Sequence, residues 1–112
     1  MSSIKQISIL EELQSIINKE LAVLIYFNTQ TCNVGEAVLP KVESLIKISF
    51  PKIKIFTVDI NFSPEISAHY NAFVEPTILV YYDGKETIRK NRNIGIHELE
   101  ESIKRPYQLI FE

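Results

Sequence analysis

The sequence has one cysteine, Cys32, and no tryptophan. A single cysteine cannot close a disulfide within the chain, so the fold has to be stable without one, and we expect a reducing, cytoplasmic environment. No apolar run approaches the roughly 20 residues of a membrane span, and the first residues show no apolar signal segment. The net charge is only −2, which provides no general attraction for nucleic acid. We therefore expect neither a membrane nor a nucleic acid as partner.

The rest of the composition is typical of a small globular protein. Of the 112 residues, 46% are hydrophobic and 23% are charged, which is enough apolar material for one packed core. The sequence contains no linker, internal repeat or low-complexity tract. We expect a single domain that spans residues 1–112.

The middle of the sequence joins an apolar strand to an amphipathic helix through a polar turn that carries Cys32. Residues 21–27 form a near-continuous apolar run, which is typical of a strand buried on both faces of a sheet. Unpaired backbone N–H groups and the helix dipole stabilise a thiolate at a helix N-terminus. Cys32 is therefore a candidate reactive thiol, and the alternative is an inert small residue in a turn.

Hydrophobic periodicity and turn residues predict the other elements. The predicted helices cover about residues 9–18, 34–49, 64–73 and 96–104, and the predicted strands cover 21–27, 54–60, 77–82 and 86–90, with a weak edge strand at 4–7. Asp83-Gly84 is a strong hairpin signal between the last two strands. This order predicts an α/β fold, with a central mixed sheet of four to five strands, an antiparallel C-terminal hairpin and about four flanking helices.

Serine and proline residues predict how the helices begin and end. Ser8 and Glu11 have the spacing of a capping box for the first helix. Ser63-Pro64 has the pattern of an N-cap followed by the first residue of the third helix. Pro40 should kink the second helix. We expect Pro106 to end the last helix and to leave an apolar tail, residues 107–112, that packs on the body of the protein or on a partner.

Several of these residues together resemble the thioredoxin family. The resemblance covers residues 8–104 and rests on the order and spacing of five features, namely Cys32, Pro40, Asp59, Pro76-Thr77 and Gly84. It implies a thioredoxin-like fold in which Pro76 follows a cis peptide bond and lies beside Cys32. It also implies that the backbone before Pro76 pairs with an extended substrate segment, in a groove that Ile94 borders.

The sequence departs from the family pattern at positions that carry its chemistry. Cys32-Asn33-Val34-Gly35 stands where thioredoxins have Cys-x-x-Cys, so the attacking cysteine is present and Gly35 replaces the resolving one. Tyr26 occupies the position of a buried aspartate that helps to move protons in the family. Glu75 precedes the cis-proline, where the usual residue is apolar, and Asn28 and Thr31 replace two tryptophans.

These departures leave one redox step to the chain itself. Cys32 can attack a disulfide, but an external thiol such as glutathione or a partner protein has to release the product, so the sequence argues against a classical dithiol reductase. The helix N-terminus lowers the pKa of the thiol, whereas a nearby Glu75 carboxylate would raise it. The distance between the two residues decides which effect is larger.

We therefore predict a monothiol redox protein that forms mixed disulfides with a protein or a low-molecular-weight thiol. Cys32 would be the catalytic residue, and the residues expected to contact the substrate are Thr31, Asn33, Val34, Glu75, Pro76 and Ile94. The alternative is a non-enzymatic binding or dimerisation module, with the apolar tail as a homodimer or partner surface. His69 and His97 lack ligand-like spacing to the cysteine, so we expect no metal and no other cofactor.

The alternative of a monothiol glutaredoxin, which holds an iron–sulfur cluster with glutathione, fits less well. The segment Val74-Glu75-Pro76-Thr77 is similar to thioredoxin, and no basic residue directly precedes Cys32 to receive a glutathione carboxylate.

Overall fold

Five strands form one mixed sheet in the computed structural model, which describes residues 4–29 and 33–112, the latter with side chains from residue 38 onward. The strands are β1 (Lys5–Gln6), β2 (Ala22–Asn28), β3 (Lys54–Asp59), β4 (Thr77–Tyr82) and β5 (Lys85–Asn91), in the sheet order β1-β3-β2-β4-β5. Strand β3 pairs in parallel with β1 and with β2, and β4 pairs antiparallel with β2 and with β5. The predicted mixed sheet with an antiparallel hairpin at one edge is confirmed.

Strand β2 is the centre of the sheet and is buried on both faces. It lies between β3 and β4, and its residues from Ala22 to Phe27 are all buried. Because side chains alternate along a strand, Leu24 and Tyr26 join one core cluster while Ile25 and Phe27 join the other. The apolar run in the sequence is therefore confirmed as the central strand.

Four helices cover the two faces of the sheet. They are α1 (Leu10–Lys19), α2 (Asn33–Ser49), α3 (Pro64–Tyr70) and α4 (Ile96–Phe111). The core cluster that contains Leu24 includes residues of α2 and α4, and the cluster that contains Ile25 includes residues of α1 and α3. Pro40 lies inside α2, and the predicted kink at this proline stays a prediction.

The Asp83-Gly84 hairpin prediction is confirmed. Both residues have positive φ angles, 54° and 78°, as a two-residue type I′ turn requires. The turn connects β4 to β5, which is the edge strand. The register places Thr77, the first residue of β4, opposite Asn91 at the end of β5. This pairing brings the start of β4 and the end of β5 to the same end of the sheet.

The prediction that Pro106 ends the last helix is wrong, because α4 continues through it to Phe111. Proline removes one backbone hydrogen bond from a helix, and tertiary packing offsets that loss here. The Tyr107 side chain is 7% exposed, and its ring centroid lies 5.0 Å from that of Phe50 and 4.8 Å from that of Phe111. Its hydroxyl oxygen accepts a hydrogen bond from the Lys52 backbone N–H at 3.2 Å. The expected apolar tail is thus the end of α4, which packs on the body of the protein through Tyr107 and Phe111 and exposes Leu109 and Ile110.

The predicted capping box of the first helix is also wrong. The helix begins at Leu10, so the N-cap residue is Ile9, which has no side-chain acceptor. Ser8 lies one residue too early to cap the helix. Its carbonyl oxygen instead accepts a hydrogen bond from the Ser63 hydroxyl at 3.5 Å.

The start of α3 follows the prediction in position but not in its capping contact. Ser63 is the N-cap residue and Pro64 begins the helix, yet the Ser63 hydroxyl is used in the bond to Ser8. The helix ends at Tyr70 because Asn71 adopts the left-handed conformation, with φ 54°. It is therefore three residues shorter than the sequence predicts.

Candidate functional site

The candidate site lies where β2 ends and α2 begins. Strand β2 ends at Asn28 and α2 starts at Asn33, so four residues, 29–32, connect them. Thr31 and Cys32 belong to this connection and lie outside the described residues. Asn33, Val34 and Gly35 are the first three residues of α2. The first helical residue thus directly follows Cys32 in the chain, and the reactivity of the thiol stays a prediction.

Glu75 binds the beginning of this connection. Its carboxylate accepts two hydrogen bonds from Thr29, one from the backbone N–H at 2.7 Å and one from the hydroxyl at 3.1 Å. The two donors reach different carboxylate oxygens, Oε2 and Oε1. Thr29 is only 7% exposed. The sequence left open whether Glu75 points to solvent or towards the cysteine turn, and its carboxylate is bound to the first residue of that turn.

Pro76 is buried directly beside this contact. The Glu75–Pro76 peptide bond is cis, the isomer that the thioredoxin resemblance implies. The Pro76 carbonyl oxygen accepts a hydrogen bond from the Arg92 backbone N–H at 3.0 Å. The next residue, Thr77, pairs with Phe27 in β2, and its hydroxyl donates to the Val74 carbonyl oxygen. These contacts hold the start of β4 next to the end of β2.

Ile94 and Phe73 are close in the sequence to residues at this end of the sheet. Ile94 lies two residues after Arg92 and packs, partly buried, against the core beneath α2 and α4. Phe73 lies three residues before Pro76, and 64% of it is exposed. The sequence prediction treated Phe73 as the end of a helix. The sequence offers one signal for it, which is an aromatic residue three positions before Pro76.

Tyr26 is a core residue. It is fully buried in β2, two residues before the end of the strand, within the cluster beneath α2 and α4. The position that carries a proton-moving aspartate in the resembled family is thus filled here by a packed aromatic ring.

Asp59 ends β3 next to Asn28 and shapes the loop after it. The aspartate is 7% exposed, and its Oδ1 atom accepts hydrogen bonds from the backbone N–H groups of Asn61 and Phe62, both at 2.9 Å. Both bonds close a tight turn between β3 and α3. The role that these contacts support for Asp59 is structural.

A second polar cluster, centred on Arg89, lies along β5. The guanidinium donates to the Glu86 carboxylate at 2.9 Å and to the carbonyl oxygens of Tyr70 and Asn71 at 2.8 and 3.2 Å. Arg89 thus binds the C-terminal end of α3 from the edge strand. The hydrogen bond from Arg89 lowers the pKa of Glu86. Burial raises the pKa of Tyr81 to about 12.

Among the described residues, no group of three or more histidine, cysteine or acidic side chains is arranged to hold a metal ion. None of the helices within residues 4–29 and 33–112 is long and apolar enough to cross a membrane.

The mixed sheet, the cysteine just before a helix and the cis-proline at the start of β4 are features of an α/β thiol redox protein. The family model described as Thioredoxin matches residues 6–105, and the chain belongs to the thioredoxin family. The fold expected from the sequence is therefore confirmed.

Known proteins of the family resemble the chain over most of its length. The chain is 29% identical over 100 residues to the thioredoxin-like protein YdfQ of Bacillus subtilis, covering 89% of this chain and 88% of that protein. It is 32% identical over 82 residues to a thioredoxin of Chlamydia trachomatis, covering 73% of this chain and 76% of that one. A solved thioredoxin of Fasciola hepatica superposes with a TM-score of 0.81 at 29% identity, covering 91% of this chain and 98% of that one.

Proposed function

We propose that the protein is a monothiol redox protein in which Cys32 forms mixed disulfides with a protein or a low-molecular-weight thiol. The observation that carries this proposal is that α2 begins at Asn33, directly after Cys32. The first backbone N–H groups of a helix have no partner within it, and they favour a negative charge at this end. A thiol in such a place is more acidic and is ionised at a lower pH than a free cysteine.

The redox step is an exchange between one thiolate and one disulfide. The Cys32 thiolate attacks one sulfur of the partner disulfide, an S–S bond forms between them, and the other sulfur leaves as a thiolate. No net oxidant is consumed, because the disulfide bond moves from the partner to the mixed species. Gly35 has no thiol with which to attack that bond. A second, external thiol therefore has to attack the mixed disulfide and restore the Cys32 thiolate.

The contacts around Pro76 support a role for this end of the sheet in holding the partner. Pro76 is buried and fixed between β2 and β5 by the bonds of its neighbours. We expect an extended partner segment to pair with the backbone at Glu75 and to touch Thr31, Asn33, Val34 and Ile94. A reducing, cytoplasmic environment and one domain over residues 1–112 are part of the same proposal.

The alternative is a binding module that uses this surface without redox chemistry. The exposure of Phe73 favours it, because an apolar ring at the edge of a groove gives affinity to any extended partner. A second copy of the chain is one such partner.

Alkylation of Cys32 as a function of pH separates the two functions. The rate of iodoacetamide modification should rise with an apparent pKa below the free-cysteine value of about 8.5, because the helix N-terminus stabilises the thiolate. Cys32→Ser is the matched control, since it removes the only cysteine and should show no modification. An apparent pKa of about 8.5 or higher would contradict the redox proposal. A single adduct with an oxidised low-molecular-weight thiol, seen by intact mass, is the second expected result.

A further inference from the structure

The Glu75 carboxylate is a fixed charge, not a mobile surface group. Both of its oxygens are held by Thr29, at 2.7 and 3.1 Å, so the side chain has one position relative to the end of β2. Each oxygen receives one donor and keeps acceptor capacity for another. The residue is half-buried, which places the charge close to the surface that a partner would approach.

The described surroundings of Glu75 do not neutralise this charge. The three ion pairs found among the described residues join Lys5 to Glu12, Lys47 to Glu43 and Arg89 to Glu86, so Glu75 takes part in none of them. Arg92 bonds to Pro76 through its backbone, and its own side chain is exposed. Asp59, at the neighbouring strand end, adds a second carboxylate. The charges that side-chain hydrogen bonds hold in place at this end of the sheet are therefore the carboxylates of Glu75 and Asp59, and the cations at the end of β5 are Lys90 and the exposed Arg92.

The charge lies within electrostatic range of the cysteine turn. Thr29 and Cys32 are three residues apart in the sequence, and three residues of chain span at most about 11 Å. The Debye length is ~30 Å at 0.01 M salt and about 8 Å at physiological salt. A partner that brings its sulfur to Cys32 therefore places its own nearby charges in the field of Glu75. The residues from Asn28 to Gly35 contain no lysine or arginine that would oppose this field.

We propose that Glu75 is a specificity-determining residue, which selects disulfide partners with a positive charge beside the reacting sulfur and disfavours anionic ones. The inference rests on the proposed function, since it concerns the exchange at Cys32. Oxidised glutathione, which carries several carboxylates, is by this argument a poor partner. A cationic disulfide, or a peptide with lysine or arginine next to its cysteine, is a good one.

Three thiol reagents that differ in charge test the selectivity. They are the methanethiosulfonates with a trimethylammonioethyl, a methyl and a sulfonatoethyl group, which are cationic, neutral and anionic. The Cys32 thiolate attacks the sulfur that bears the charged or neutral group, an S–S bond forms to that alkylthio group, and the bond to the sulfonyl group breaks so that methanesulfinate leaves. The measurement is the second-order rate constant of each reagent at low ionic strength, followed by intact mass. The neutral reagent reports the intrinsic reactivity of the thiol, so its rate serves as the reference for the other two.

The expected result is a change of selectivity on removing one charge. A unit charge ~11 Å away, the largest span of three residues of chain, changes the local concentration of a singly charged reagent about twofold in water. Glu75→Gln should therefore lower the cationic-to-anionic rate ratio about three- to fourfold, with both rates referred to the neutral reagent. In the wild-type protein the same ratio should fall at high salt. Cystamine should also form its adduct faster than oxidised glutathione.

Asp83→Asn is the matched control. It removes the same charge from an exposed residue at the opposite end of β4, which is six residues or about 20 Å long. Asparagine also tolerates the positive φ of this turn position. This variant should keep the wild-type rate ratio.

The outcomes separate the inference from the function on which it rests. An unchanged ratio in Glu75→Gln, or an equal change in Asp83→Asn, would overturn the selectivity and leave the redox function standing. A common change of all three rates in Glu75→Gln would show a merely structural contact with Thr29. If none of the reagents modified Cys32 in the wild-type protein, the redox function would fail, and the selectivity with it.

Discussion

Replacing Tyr107 by alanine should destabilise the protein strongly, although the residue follows a proline near the end of the chain. Its side chain is 7% exposed and lies between the rings of Phe50 and Phe111. Truncation of a large buried aromatic residue to alanine costs about 3–5 kcal/mol. The free energy of unfolding of a domain this size is on the order of 5–15 kcal/mol, so the change removes a large part of it. Tyr107→Phe removes only the acceptor of the Lys52 N–H and should cost about 1 kcal/mol.

Equilibrium unfolding in urea, followed by circular dichroism, measures these differences. Leu109→Ala is the control on the same helix, because this leucine is 73% exposed and its truncation should change the free energy of unfolding by about 0.5 kcal/mol or less. The loss in the free energy of unfolding should therefore increase in the order Leu109→Ala, Tyr107→Phe, Tyr107→Ala. If Tyr107→Ala were as mild as Leu109→Ala, the end of α4 would not be packed on the body, and our account of Pro106 would be wrong.

Three further predictions concern the hydrogen bonds of Arg89, the buried Tyr82 and the Cys32-x-x-Gly35 segment. Arg89→Lys should lower the free energy of unfolding in urea by about 1–2 kcal/mol, since a lysine cannot donate at once to Glu86 and to the end of α3; an unchanged urea midpoint would contradict this. Burial raises the pKa of Tyr82 from 10 to about 12. The stability that Tyr82 contributes is therefore complete below about pH 10 and is lost as the pH rises towards 12. The decrease in the urea midpoint over this range should be smaller in Tyr82→Phe, and an equal decrease would refute the assignment. Gly35→Cys should restore an internal resolving thiol, seen as a loss of two mass units on oxidation and as faster release of Cys32 adducts, whereas persistent adducts would show that the two thiols do not meet.

The sheet could be predicted from the sequence because its signals are local. The apolar run that ends at Phe27 identifies the central strand, and Asp83-Gly84 identifies the hairpin from the positive φ angles that its turn needs. The end of α4 was missed because a local rule about Pro106 was placed above the periodicity. Leu99, Ile103 and Tyr107 recur every four residues, and this spacing already continued the apolar face past the proline.

The site could be predicted only in part, because its main contact is between residues far apart in the chain. The sequence identified Glu75 as an unusual neighbour of Pro76, but its hydrogen-bond partner, Thr29, is 46 residues away. No periodicity or spacing rule pairs two such residues. The contact exists because β2 and β4 are neighbours in the sheet and bring the end of one strand to the start of the other.

The position of Glu75 also bears on how long a mixed disulfide would last. In the proposed function, release requires an external thiolate, because Gly35 supplies no resolving thiol. A thiolate is an anion, so the Glu75 carboxylate opposes its approach just as it opposes an anionic disulfide. By the proposed selectivity, the charge therefore slows the second step for an anionic thiol such as glutathione, most of all when the bound partner carries no positive charge to offset it. Such a site is better suited to slow release than to rapid turnover.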